Sequence, residues 1–286
     1  MTGFQFNADA RAFDLENACQ LAAAAELVYQ PALEVKRHVT GIWGMQRVSF
    51  FDVSGTQLLV AANDELILVC FRGTEPDQLD DWITDSRVEM VPGPMGGRVH
   101  AGFYNALSHV WQQVTNQVAE LTAARTRPLW VTGHSLGAAL ATLATARWLD
   151  AGRKVQGLYT FGQPRTGDEQ FARHFNFAFK PYAYRLVNHN DLVTRVPPRA
   201  LGYSHTGTFK YFTERGELVD DINWWQRFLD SWQYALDDFF DWARDGVRDH
   251  NMTQYRELLA RTARTASRNW NDQWLKFIRV AVQRAA

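Results

Sequence analysis

Ser135 sits at the centre of the pentapeptide Gly133-His134-Ser135-Leu136-Gly137, a spacing that suits acyl transfer to a serine hydroxyl. A serine hydroxyl is a weak nucleophile, and it must project from a tight turn toward a base to attack a carbonyl. Such a strand-to-helix elbow crowds its neighbours, so glycines two residues before and after remove side chains that would clash. Ala138 and Ala139 continue the small residues into the segment that follows. A match to this pattern arises by chance about 0.1 times in a chain of this length. Context is therefore needed: the apolar run Leu129-Trp130-Val131 ends at the motif, and a helix-like run begins after it.

An acid and a base should follow in the order Ser, Asp or Glu, His. Asp191 comes off the end of a strand-like run, Tyr184-Arg185-Leu186-Val187, and suits an acid that fixes an imidazole tautomer. Asp168 competes, but its position suits a helix start. Of the eight histidines, His38, His100, His109 and His134 precede the serine, and His174 and His189 precede or adjoin Asp191. His250, in the polar junction Arg248-Asp249-His250-Asn251, and His205, just before a late strand, both remain. Two backbone N–H groups should stabilise the oxyanion. Leu136 supplies one; Thr74, after Phe71-Arg72-Gly73, supplies the other unless Gly73 and Thr74 form a simple turn.

Positioning these groups calls for an α/β architecture. Residues 13–29 carry apolar side chains at helical spacing, with Pro31 marking the end. Strand-like runs follow at Val48–Val53, Leu58–Ala61 and Leu66–Phe71, the last apolar throughout as a central strand requires. After a breaker-rich loop at 92–98, Phe103–Ala123 reads as a helix. Strands at Leu129–Thr132, Gly157–Phe161, Tyr184–Val187 and Thr208–Phe212 then alternate with helices at Leu136–Leu149 and Asp168–Phe175. That alternation predicts a mostly parallel sheet flanked by helices within one domain, 1–286.

The 286 residues are 46% hydrophobic with a net charge of −1, which argues against a nucleic-acid binder. Cys19 and Cys70 provide no disulfide framework, and Cys70, inside an apolar strand, reads as a buried free thiol. No cluster has metal-ligand spacing, so no metal or organic cofactor is expected. Without a basic n-region and apolar h-region, or a run long enough to span a bilayer, a cytoplasmic location is expected, with leaderless or processed export as the alternative. Residues 222–247 form a Trp-rich amphipathic helical insertion with an acidic polar face, and 263–286 a basic helical extension. These helices pack on the core or on each other, or else the basic one meets lipid.

Taken together, the blocks resemble the class 3 (fungal-type) lipases of the α/β-hydrolase superfamily, and especially their bacterial and plant members. The matching residues are Phe71-Arg72-Gly73-Thr74, Asp81-Trp82-Ile83-Thr84-Asp85, Val99-His100-Ala101-Gly102-Phe103 and Val131 through Ala139. Thr160 through Arg165, Asn188 through Val193 with Pro197-Pro198, and Asp249-His250-Asn251-Met252 with Tyr255 complete the series. The resemblance implies a triad of Ser135, Asp191 and His250, an oxyanion hole at Thr74 and Leu136, and His134 as a supporting residue. It also implies a lid over residues 75–86, with Leu79, Trp82 and Ile83 shielding the site. The implied activity is triacylglycerol hydrolysis, acting on lipid or small esters with contact at a lipid–water interface. A phospholipase A1, a short-chain carboxylesterase and a non-catalytic lipase-like scaffold are the alternatives. The sequence says nothing of oligomeric state.

Overall fold

The computed structural model describes residues 3–73, 89–220 and 249–267. Its centre is an eight-stranded sheet: β1 (Arg47–Val53), β2 (Thr56–Ala62), β3 (Ile67–Phe71), β6 (Leu129–His134), β7 (Gly157–Phe161), β9 (Ala183–Asn188), β11 (Thr208–Phe212) and β12 (Leu218–Val219), in that spatial order. The five strands from β3 to β11 run parallel, while β1, β2 and β12 join antiparallel at the edges.

Both faces of this sheet are covered, which explains its apolar strands. In β3, Ile67, Val69 and Phe71 enter one core, while Leu68 and Cys70 enter the other. Side chains alternate across a strand, so a strand buried on both faces must be apolar at every position. On the first face lie α3 (Ala101–Ala124), α4 (Leu136–Asp150) and α5 (Glu169–Phe179). On the second lie α1 (Leu15–Leu27), α2 (Ala32–Gly41) and α6 (252–267). Leu21, Val39, Tyr255 and Leu259 are among the residues these three bury there. The result is a three-layer α/β/α sandwich.

Helix starts follow local chemistry. Asp14 caps α1 by accepting from Asn17 N at 2.9 Å, and Asp168 caps α5 by accepting from Phe171 N at 2.8 Å. The His100 ring caps α3 through Phe103 N at 3.3 Å. Beside the main sheet, four short strands form a second one: β4 (Met90–Pro92), β5 (Arg98–His100), β8 (Gly167–Asp168) and β10 (Tyr203–Ser204). That sheet and α2 have no counterpart among the sequence expectations. Cys19 and Cys70 are both free thiols, as expected.

Register sets the location of the chemistry. Phe71 pairs with Gly133 across β3 and β6, and His134 pairs with Phe161 across β6 and β7. The carboxyl ends of the central strands therefore open side by side, where ligands bind in open α/β sheets.

Candidate active site

At the carboxyl end of β6 the backbone turns sharply. Ser135 has φ 57° and ψ −129°, a left-handed conformation that costs energy for a residue with a side chain. Neighbouring bonds hold it there: Ser135 N donates to Phe161 O at 3.0 Å, and Ser135 O accepts from Ala138 N at 2.9 Å. A Cβ on Gly133 would collide with the Gly137 carbonyl, and one on Gly137 with the Phe71 carbonyl. Both glycines are thus steric requirements of the elbow. Because Ser135 N–H is already engaged, Leu136, first in α4, is the next N–H facing out of the helix start.

Asp191 and His250 meet beside this elbow. His250 Nδ1 lies 2.9 Å from both carboxylate oxygens of Asp191, and the two residues are 4% and 0% exposed. Asp191 also accepts from Val193 N at 3.0 Å and from the Tyr255 hydroxyl at 2.5 Å. The Tyr255 oxygen in turn accepts from Asn188 N at 2.9 Å. Burial, together with the neighbouring Asp191 charge, pushes the Tyr255 pKa well above the usual tyrosine value, so the hydroxyl remains a donor. Gly162, at φ 57°, leaves the space in which this pair sits; a Cβ there would lie 2.7 Å from Asp191 Oδ2 and from His250 Nδ1.

A second chain of bonds supports the imidazole from behind. His134 is stacked on His250, with ring centroids 4.4 Å apart, and its Nε2–H donates to the His250 carbonyl at 2.7 Å. That leaves His134 Nδ1 to accept from the Tyr29 hydroxyl at 2.9 Å. Gly73 packs against the same tyrosine hydroxyl, which a Cβ there would strike, so the end of β3 lies close to the elbow. Burial and the adjacent His250 hold the His134 pKa well below the usual imidazole value, so this ring stays neutral. Asp249 ties the acid and base loops together: it accepts from Asn190 N at 3.1 Å and His189 Nδ1 at 3.3 Å.

Ser135 Oγ and His250 Nε2 are both sealed from solvent, and neither makes a hydrogen bond among the described residues. They are the two atoms that acyl transfer would need to bring together, and such bonds often tighten only around a substrate. Asp191 and His250 thus pair beside His134, the chain neighbour of Ser135, at the carboxyl end of the central strands.

Comparison with known proteins accords with this geometry. The sequence matches the family described as Lipase (class 3) across residues 68–201. Over that segment the chain is similar to the class 3 lipases. A lipase from Rhizomucor miehei is 35% identical over 173 residues, covering 56% of this chain and 46% of that protein. A triacylglycerol lipase of Nicotiana tabacum is 26% identical, covering 70% of this chain and 52% of that protein. The chain thus spans about half the length of the curated relatives it matches. Among solved structures, a triacylglycerol lipase with a serine protease triad as its catalytic centre superposes with a TM-score of 0.62 at 25% identity, covering 72% of this chain and 82% of that one.

The other expectations for the site sort as follows. Asp168 caps α5 rather than approaching His250, and His205 lies beside Arg165 and Arg185, so Asp191 and His250 form the pair. Thr74, the lid residues Leu79, Trp82 and Ile83, and the insertion at 222–247 lie outside the described residues, as does the extension beyond residue 267. Tyr29 and Gly162 were not singled out from the sequence. Gly162 lies inside a matched block, whereas Tyr29 gave no sequence signal, since its partner His134 is 105 residues away.

Proposed function

We propose that this chain is a serine carboxylic-ester hydrolase acting on triacylglycerol, with Ser135 as nucleophile, His250 as base and acid, and Asp191 orienting His250. The observation that carries this reading is the buried Asp191–His250 pair at 2.9 Å beside a serine held at positive φ. The names of its relatives from Rhizomucor miehei and Nicotiana tabacum support a lipid ester as substrate.

In the proposed route, His250 Nε2 removes the Ser135 proton as Oγ attacks the ester carbonyl. Asp191, fixed by Val193 N–H and Tyr255, keeps Nδ1 protonated and stabilises the imidazolium. Leu136 N–H and Thr74 receive the oxyanion. His250 then protonates the leaving alcohol, and water repeats the sequence to release the fatty acid. Because Ser135 Oγ is sealed in this structure, groups covering it must move aside for substrate, which suits contact with a lipid–water interface.

A fluorophosphonate probe followed by peptide mapping tests the chemistry, with labelling expected at Ser135. Folded protein that resists the probe would refute the hydrolase reading. Esters graded by acyl length, beside triacylglycerol emulsions and phospholipid vesicles, test the substrate. Activity should rise on triacylglycerol above its solubility. A preference for dissolved short esters or for phospholipid would instead make it a carboxylesterase or a phospholipase A1.

A further inference from the structure

Asn188, His189 and Asn190 lead from the end of β9 into Asp191, and all three meet the residue that precedes His250. Asn188 Nδ2 donates to the Asp249 carbonyl at 2.9 Å. His189 Nδ1 and Asn190 N–H both donate to Asp249 Oδ2, at 3.3 Å and 3.1 Å. A carboxylate only accepts hydrogen bonds, so Nδ1 carries the proton on the His189 ring that faces it. Asp249 thus holds consecutive points of the acid loop across 59 to 61 residues of sequence, and it is covalently joined to His250.

The backbone of that loop is strained. His189 has φ 29°, in the left-handed region that a residue with a side chain rarely adopts. Such a conformation persists only where its surroundings over-determine it. Here His189 N donates to Phe212 O at 2.9 Å, and Asp191 N donates to Asn188 O at 2.8 Å, closing a turn around His189. The ring bond to Asp249 ties this turn to the other loop.

On the base side, α6 begins directly after the same junction. Asn251 Oδ1 accepts from Thr253 N at 2.8 Å, while Thr253 Oγ1 and Arg256 Nε each reach the Glu26 carboxylate of α1 at 2.7 Å. His250 is therefore anchored behind by α1 and α6, and in front by what Asp249 grips. The alignment at stake is narrow. His250 Nδ1 lies 2.9 Å from both Asp191 oxygens, and displacement of either loop would unbalance that approach.

We propose that Asp249 and His189 are positioning residues, whose hydrogen bond sets the acid loop against the base loop and so governs how fast His250 moves protons. Both act through the Asp191–His250 pair rather than on the substrate. The kinetic consequence rests on the hydrolase reading; the alignment itself does not.

Steady-state kinetics on a dissolved short-chain ester provide the test, with rates counted per Ser135 titrated by a fluorophosphonate so that unfolded molecules do not enter. Asp249→Ala should lower kcat by about tenfold with KM within about twofold of the parent. His189→Asn, which removes the ring but keeps a residue tolerant of positive φ, should lower it by about threefold. Asp249→Asn retains an acceptor for Asn190 N–H and should recover part of the loss. Once Asp249→Ala is present, adding His189→Asn should cost nothing further. Should Asp249→Ala fail to fold, Asp249→Asn and His189→Asn carry the same comparison. Unchanged kcat per titrated site, a rise in KM alone, or independent effects in the double variant would overturn the proposal. A folded parent that the probe leaves unlabelled would refute the hydrolase reading instead, and proton NMR then decides. The downfield Nδ1–H resonance of His250 against Asp191 should shift or broaden in both single variants; spectra identical to the parent would overturn the positioning role.

Discussion

Replacing Tyr255 with phenylalanine removes one oxygen that holds two partners. The hydroxyl donates to Asp191 Oδ2 at 2.5 Å and accepts from Asn188 N at 2.9 Å, and the tyrosine is fully buried. A hydrogen bond to a buried charge contributes about 1.5–3 kcal/mol, and an orphaned buried N–H costs about 1–3 kcal/mol. Phenylalanine keeps the ring packing against Phe161 and His134, so the loss is confined to these bonds. Tyr255→Phe should therefore cost about 3–5 kcal/mol, read by urea denaturation as a lower midpoint with unchanged slope. The charge-assisted part can be isolated by a double-mutant cycle with Asp191→Asn. An uncharged amide leaves only an ordinary hydrogen bond to lose, so the Tyr255→Phe increment should shrink by about 1–2 kcal/mol in that background. Asp191 keeps Val193 N–H, and Tyr255 does not touch Ser135 Oγ. Turnover should thus fall by about tenfold, far less than on losing the nucleophile. A cost below about 1 kcal/mol, or one identical in both backgrounds, would refute the assignment of this hydroxyl to the Asp191 charge.

Ser135→Ala should lower kcat by about 10⁴–10⁶ while leaving the melting temperature near that of the parent, because Oγ bonds no described group. Stability should fall as pH drops below about 6.5. His134 is held neutral well below its usual pKa and His100 is pushed down by burial to about 4, so the unfolded chain binds more protons in that range. Each histidine should cost about 1.4 kcal/mol between pH 7.5 and 5.5, and His134→Gln should remove one such share from the pH-dependent melts. Gly137→Ala, which drives a Cβ into the Phe71 carbonyl, should cost at least about 1–3 kcal/mol. Gly41→Ala, at the end of α2 with open space around it, should instead stabilise by about 0.4–1 kcal/mol in the same denaturation assay.

The parts of the fold legible in the sequence are those where burial leaves no choice of residue. β7 and β11 fall at the expected residues, and β3 and β6 differ by one or two; β3, covered on both faces, is apolar throughout. The capping role of Asp168 was legible for a similar reason, since its carboxylate serves a partner three residues away. The start of α2 was not. Proline ends one helix and is equally suited to begin the next, and here Pro31 stands at the N-cap of α2 immediately after α1. The strands of the second sheet, two or three residues each, are too short to carry a period.

The catalytic candidates were legible by chain order, but their supports were not, and the difference is one of sequence separation. Ser135 and its glycines constrain one another within five residues, so steric demand leaves a local pattern. Asp191 and His250 lie 59 residues apart, and only their order in the chain identifies them from sequence. Between His205 and His250, sequence pattern favoured His250 in its polar junction but left His205, just before a late strand, open. The fold separates them by charge: His250 faces a carboxylate and can carry the proton, whereas His205 faces two guanidinium groups that oppose protonation. Tyr29 shows the limit of local pattern: it stands in the turn after α1, its hydroxyl binds His134, and Gly73 packs against that oxygen. A residue that joins three distant segments through one atom leaves no spacing to read, yet it fixes both sides of the elbow from which Ser135 projects.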